Sequence, residues 1–339
     1  MQNSNNWSIF NNASVLVTGG TGSFGVAFVK MVLQKAKPKR LVVFSRDELK
    51  QYDMQHDPDI KDNPVMRYFI GDVRDRERLK MAMRGVDYVI HAAALKQVPT
   101  AEYNPFECIK TNVYGAENVV ASALENGVKR VVALSTDKAV NPVNLYGASK
   151  LASDKIVVAG NNISGRSGVR FSVVRYGNVV GSRGSVIPYF KKLLSEGVKS
   201  LPITDPRMTR FLITLQDGVE FVASSLFHMC GGEIFVPKIP SVKIIDLARV
   251  MSPGVEPEVI GIRPGEKLHE VMITEDDARF TVDLGDRYVI QPSFAFWEQD
   301  EPDYIKEAKP VADDFRYDSS SNIDWFDDAG IEGILSISH

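Results

Sequence analysis

The chain has 339 residues, 44% hydrophobic and 24% charged, the proportions of a globular protein with a full core, which excludes a peptide scaffold and a disordered tail. Its 40 Lys and Arg against 43 Asp and Glu leave a net charge of −3, too little positive surface to neutralise a phosphate backbone, so nucleic acid is not an expected partner. The only cysteines, Cys108 and Cys230, lack metal-ligand spacing, and no stretch approaches the roughly 20 apolar residues of a membrane span; a metal-free, soluble protein of the reducing cytoplasm, with no membrane partner, is expected.

Residues 14–18 (SVLVT) form a β-branched run ending in the glycine-rich GGTGSFG, and residues 24–35 repeat apolar side chains at helical spacing: strand, tight turn, helix. Apolar runs recur at 40–44, 66–70, 86–91, 129–135 and 169–175, each followed by a polar or helical segment. Near-continuous apolar strands between helices predict a parallel sheet covered on both faces, the doubly wound α/β arrangement of the Rossmann type. After Tyr176 the texture turns to Gly, Pro and Arg with shorter apolar runs, which predicts a smaller C-terminal substrate-binding domain. The helical stretch 214–228 reads as a return to the first domain. The expected division is therefore 1–178 plus about 210–240 for the dinucleotide-binding domain, and about 179–209 plus 241–339 for the second domain and tail. The acidic, aromatic tail from about 280 is expected to pack only at the periphery.

Gly19, Gly22 and Gly25 lie between the first strand and helix, where glycine permits a tight turn, close approach of a pyrophosphate and helix N-terminal amides aimed at it. An ordinary glycine turn is the alternative; the strand–turn–helix setting favours a dinucleotide, with Thr21, Ser23 and Phe24 in the same turn. Asp72 with Val73, Ala92, Ala93 and Ala94 with nearby Lys96, and Tyr176 all follow apolar strands, at the carboxyl edge where open sheets bind ligands. Strand two ends in Ser45 and Arg46, where an acidic side chain would read a ribose 2′-hydroxyl and an arginine a 2′-phosphate. Those two residues predict NADP, although Asp47 and Glu48 follow at once and a solvated surface arginine fits the same pattern.

Residues 134–150 (LSTDKAVNPVNLYGASK) run from the end of a strand into a helix. Tyr146 and Lys150 are four apart, hence on one helical face, where an ammonium can lower the phenol pKa and bind a nicotinamide ribose. Thr136 precedes Asp137 and Lys138, which are either an acid–base pair beside the tyrosine or a surface ion pair.

With Gly19, Gly22, Gly25, Tyr146 and Lys150, the chain resembles the extended short-chain dehydrogenase/reductase superfamily. Thr136-Asp137-Lys138, together with SRDELKQYDMQ at 45–55, ALKQVPTAEYNPFE at 94–107, NPVNLYGASKLASDK at 141–155 and VRYGNVVGSRGSVIPYF at 174–190, makes it similar to the inverting UDP-N-acetylglucosamine 4,6-dehydratases of pseudaminic acid synthesis. The similarity runs from about residue 13 to 275 and more loosely through the tail; related retaining enzymes tend to have Met where this chain has Tyr146.

The resemblance implies a hydro-lyase acting on UDP-N-acetylglucosamine with NADP. Tyr146, helped by Lys150 and Thr136, takes the C4 hydroxyl proton; Lys138, if held neutral, is the base at C5; Asp137, if held protonated, is the acid for the C6 hydroxyl. Reprotonation at C5 from the other face, with Lys96 and Tyr146 as candidate donors, inverts that centre. It also implies Arg210, Arg263 and Arg183 on the pyrophosphate, Asn178 near the sugar, Glu266 on a ribose, and Lys96 and Val186 in the same pocket, although each arginine could equally be a solvated surface residue. A homo-oligomer, a dimer or dimer-based, pairing through helices at about 105–126 and 146–160, is the further implication.

Two other readings compete. A nucleotide-sugar 4-epimerase or a retaining 4,6-dehydratase shares the cofactor motif, and the epimerase has no use for an acid–base pair at 137 and 138. A non-catalytic NADP-sensing protein of the same fold has no need of Tyr146 and Lys150.

Overall fold

The apolar runs become the parallel strands β1 (Ser14–Thr18), β2 (Arg40–Ser45), β3 (Met66–Ile70), β4 (Tyr88–His91), β5 (Arg130–Thr136) and β6 (Arg170–Tyr176). They come from a computed structural model that describes residues 6–165, 168–182, 184–198, 200–297, 304, 306 and 308–337. All five residues of β1 are buried, because successive side chains point into different cores. Val15 and Val17 pack with Phe28, Val29 and Val32 on one face of the sheet, and Leu16 packs with Leu79 and Val119 on the other. That is why the sequence shows continuous rather than alternating hydrophobicity.

The helices between strands are α1 (Ser23–Lys35), α2 (Glu48–Gln55), α3 (Arg76–Ala82), α4 (Val98–Tyr103), α5 (Pro105–Ile109), α6 (Gly115–Asn126) and α7 (Leu145–Ser164). The strand order is β3-β2-β1-β4-β5-β6, followed by the parallel strand Ile234–Pro237, reached through the helix Leu215–His228. The doubly wound α/β expectation holds. The order reverses between β1 and β4, and that switch opens a crevice above the carboxyl ends of the strands.

The tail corrects an expectation. Arg287–Ile290, Thr281–Asp283 and Lys309–Pro310 extend the same sheet antiparallel beyond Ile234–Pro237, giving ten strands among the described residues. Val289 is fully buried and Ile290 nearly so, so this segment builds core rather than coating it. A smaller lobe above the crevice has a sheet with Thr209–Ile213 between Asn178–Val179 and Ser241–Lys243, packed by the helices Val186–Ser195, Ile244–Met251 and Asp328–Ile337. No described helix is long and apolar enough to cross a membrane.

At the switch point, Thr18 ending β1 and His91 ending β4 share a hydrogen bond, Oγ1 to Nδ1 2.7 Å. Burial, with the nearby Lys150 ammonium adding to it, lowers the imidazole pKa to about 3, so His91 is neutral in the fold. Below its ordinary value of 6.5 the unfolded chain takes up a proton that the folded chain refuses, so this stability is whole above pH 6.5 and lost as pH falls towards 3. Urea unfolding should show a loss at pH 5 relative to pH 7.5 that is about 2 kcal/mol smaller in His91→Asn than in the wild type. Equal losses in the two proteins would refute this account of His91.

Candidate active site

The crevice encloses a cavity of about 890 Å³, within the range of small-molecule and cofactor sites. Loops following the main strands form one end, and the smaller lobe forms the other.

At the first end lie Gly19, Thr21, Gly22, Ser23, Phe24 and Gly25. Gly19 has φ +65°, and a Cβ there would stand 2.9 Å from the Ala93 backbone, so only glycine lets the ends of β1 and β4 approach. Gly22 caps α1, which leaves the helix's first amides free of a side-chain cap. Val73, Ala92, Ala93, Ala94 and Tyr176 line the same space. The cradle fits a dinucleotide pyrophosphate on these grounds.

Ser45 and Thr21 hydroxyls bond at 2.7 Å across the floor. Arg46 lies beside Asp72, Nη1 to Oδ2 3.4 Å, with its side chain 53% exposed. Asp72 also accepts from Arg74; burial pushes its carboxyl up, but the hydrogen bonds and charge of Arg74, helped by Arg46, hold it below the usual range. Both arginines therefore draw on Asp72, and Arg74 also pairs with Glu107.

The chemistry-bearing groups lie mid-cavity. Asn144 caps α7 by accepting from Gly147 N at 2.8 Å and donates to Gly265 O in the smaller lobe at 2.8 Å. Gly147 is glycine because a Cβ would stand 2.1 Å from Lys138 O, and this contact seats Tyr146 beside the 136–138 turn. Burial, with Asp137 adding to it, pushes the Tyr146 phenol up to about 12 against the opposing pull of Lys138 and a Thr136 hydrogen bond. Lys138 is thus one cation acting on the phenol, and Lys150, expected for that part, lines the same cavity. Lys150 is buried, which lowers its pKa against the opposing charge of Asp154. Asp154 in turn accepts from Ser135 at 2.6 Å.

Thr136 donates to Asp137 Oδ1 at 2.9 Å, and Lys138 Nζ donates to the same oxygen at 3.0 Å and to Asn178 Oδ1 at 3.1 Å. Thr136 and Lys138 line the cavity; Asp137 is fully buried beneath them, and its Oδ2 has no hydrogen-bond partner. Burial, reinforced by Glu270, raises the Asp137 pKa despite Lys138, the direction a proton donor needs. Lys138 runs against the neutral amine set as the condition for its role at C5. Burial works to neutralise it, but Asp137 and Glu270 outweigh burial and hold it as an ammonium.

Glu270 is the residue that sequence reasoning missed, although it ends the GEKLHE segment from which Glu266 was chosen. It is 2% exposed, with Oε1 3.4 Å from Lys138 Nζ and 3.9 Å from Arg210 Nε. Arg210 is buried and donates to the carbonyls of Thr209, Lys267 and Leu268, so much of its fork is already engaged. Arg263 and Glu266 face each other at 3.4 Å on the cavity wall, where Asn178, Val186 and Lys96 also lie. Lys96 loses basicity through burial of its amine and the charge of Lys138. Arg183 lies outside the described residues. Thr111 was also missed; it lines the cavity with a buried, unpartnered hydroxyl in the π-helical turn Lys110–Tyr114.

Comparison with known proteins agrees with this architecture. Residues 15–292 match the family described as polysaccharide biosynthesis protein. A UDP-N-acetylglucosamine 4,6-dehydratase (inverting) of Campylobacter jejuni subsp. jejuni serotype O:2 is 58% identical over 321 residues, 94% of this chain and 95% of that protein. The X-ray structure of Pen from Bacillus thuringiensis is 35% identical with a TM-score of 0.87, covering 97% of this chain and 98% of that one. The dTDP-glucose 4,6-dehydratase DesIV of Streptomyces venezuelae, as a double mutant with NAD and DAU bound, is 25% identical with a TM-score of 0.66 over 75% of this chain and 86% of its own.

Proposed function

The chain belongs to the polysaccharide biosynthesis protein family, and from that premise we propose that it is an inverting UDP-N-acetylglucosamine 4,6-dehydratase, NADP-dependent and acting first in pseudaminic acid synthesis. Its product is UDP-2-acetamido-2,6-dideoxy-β-L-arabino-hexos-4-ulose, made in the cytoplasm. The observation that carries the reading is the Asp137–Lys138–Glu270 cluster beside Tyr146, because an epimerase or a sensing protein has no use for a second acid–base set there.

A nicotinamide dinucleotide in the glycine cradle supplies reversible hydride acceptance, between C4 and C6 of one sugar. Tyr146 receives the C4 hydroxyl proton, with the Lys138 ammonium and the Thr136 hydroxyl easing ionisation of a phenol that burial and Asp137 push up. The C4 ketone acidifies C5; Lys138, once it has passed a proton to the Glu270 carboxylate 3.4 Å away, removes the C5 hydrogen while the C6 hydroxyl leaves as water with the proton stored on Asp137, and the proton on Glu270 returns to Asp137 through Lys138 to reset the cluster. Since Asp137 does not reach the cavity, its proton passes through Thr136 or Lys138, which touch both. Lys96 or Tyr146 returns a proton to C5 from the opposite face. Arg263, Arg210 and Asn178 hold the UDP-sugar from the smaller lobe, with Glu266 on a ribose.

Substrate carrying deuterium at C4 should lose water and retain the label at C6. Asp137→Asn and Lys138→Met should each cut turnover by about 10²- to 10⁴-fold while leaving cofactor binding intact. Unimpaired dehydration by both would leave the 4-epimerase as the better reading.

Cofactor choice rests on Arg46, whose half-exposed guanidinium stands at the end of β2. Titration of Arg46→Ala should show NADP weakened far more than NAD; equal weakening would remove Arg46 from recognition of the 2′-phosphate.

The protein assembles as a homo-oligomer through α6 and α7. The exposed aromatics Tyr103, Phe106 and Tyr114, all just before α6, favour this, since such side chains are costly to leave in water. Light scattering at micromolar concentration should give a dimer or a multiple of it, and a monomer would contradict the assembly.

A further inference from the structure

The cluster differs from an acid–base pair in one respect: its ammonium has two carboxylates. Lys138 Nζ lies 3.0 Å from Asp137 Oδ1 and 3.4 Å from Glu270 Oε1, with Asn178 Oδ1 as a third acceptor at 3.1 Å. Glu270 comes from the smaller lobe and is held rigidly: its amide donates to Ser319 Oγ at 2.9 Å, and its carbonyl accepts from Ser319 N at 2.8 Å. Its Oε2 is buried with no hydrogen bond, facing only Lys267 Nζ at 3.5 Å. A carboxylate in this position costs several kcal/mol unless cations offset it, so its charge is committed to the cluster.

We infer that Glu270 is a positioning residue for the dehydration: it supplies the second counter-charge that keeps Lys138 an ammonium beside Tyr146 while Asp137 carries its own proton. This rests on the function proposed above. A lone Asp137–Lys138 pair has one proton to divide, so protonating Asp137 would leave Lys138 a neutral amine, and a second proton would make it a half-buried ammonium without a counter-charge. With Glu270 present both groups are loaded at once, Lys138 to assist Tyr146 in the oxidation and Asp137 to protonate the leaving hydroxyl. The charged and titratable groups facing Lys138 are Asp137, Glu270, Arg210, Tyr146 and Lys96; those facing Glu270 are Lys138, Asp137, Arg210 and Lys267. Arg210 and Lys267 favour an ionised Glu270, and its carboxyl is held below the usual range although burial opposes this.

The test is an NMR titration of the Lys138 side chain in the full chain labelled with 13C at lysine Cε. Glu270→Gln should lower the Lys138 pKa by about one to three units, while Glu270→Asp, which keeps the charge, should restore at least part of that shift. In turnover of UDP-N-acetylglucosamine, Glu270→Gln should reduce kcat about tenfold or more with KM little changed. Should Glu270→Gln fail to fold, Lys138→Met reads the same coupling from the other side, and the Glu270 carboxyl should then titrate higher than in the wild type. A Lys138 titration unmoved in Glu270→Gln, or a Glu270 carboxyl unmoved in Lys138→Met, would overturn the assignment. The titrations need no substrate, so a wild-type protein inert towards UDP-N-acetylglucosamine would sink the functional reading without deciding the role of Glu270.

Discussion

A half-buried ammonium forces much of this structure into place. Lys138 sits where water cannot solvate it fully, and a charge so placed persists only if fixed acceptors surround it. Those acceptors come from three parts of the chain: Asp137 after β5, Asn178 after β6, and Glu270 from the smaller lobe. Satisfying one side chain therefore fixes the height of the lobe above the sheet. Two further bonds keep the same register, Asn144 to Gly265 O at 2.8 Å and Lys267 to Val140 O at 2.5 Å. The side chain proposed as the base at C5 and the side chain that aligns the lobes are the same.

The sheet was legible in the sequence because its strands are buried on both faces, so SVLVT, RLVVF and KRVVALS carry their structural state in composition alone. The strands Thr281–Asp283 and Arg287–Ile290 were not, since elements this short take their register from a partner strand rather than from a pattern of their own. The helical stretch expected over 105–126 is interrupted by the π-helical turn Lys110–Tyr114. In that turn Asn112 leaves the helical surface to clamp Leu95, accepting from its N at 2.8 Å and donating to its O at 2.9 Å, an engagement with a distant loop that periodicity cannot reveal.

Residue types in the site could be read, but depth and charge could not. Asp137 and Lys138 are adjacent in sequence, yet one is fully buried beneath the cavity wall and the other forms part of it. The charge on Lys138 depends on Glu270, which no local window joins to it. Arg210 shows the same limit: as a residue type it suits a diphosphate, whereas its place in the strand Thr209–Ile213 engages part of its fork on three carbonyls and leaves only the remainder for a ligand.

The grip of Ser319 on Glu270 has a consequence for how the protein is made. During synthesis β1 to β6 can emerge and pair in order, since each strand meets its neighbour soon after it is translated, apart from the insertion of β1 between β2 and β4. The Asp137–Lys138–Glu270 cluster has no such freedom, because the contact that holds Glu270 is contributed by Ser319, 49 residues further along the chain. The cluster cannot be supported until Ser319 has left the ribosome, so products truncated before it can hold a formed glycine cradle and still lack an ordered Asp137–Lys138–Glu270 cluster.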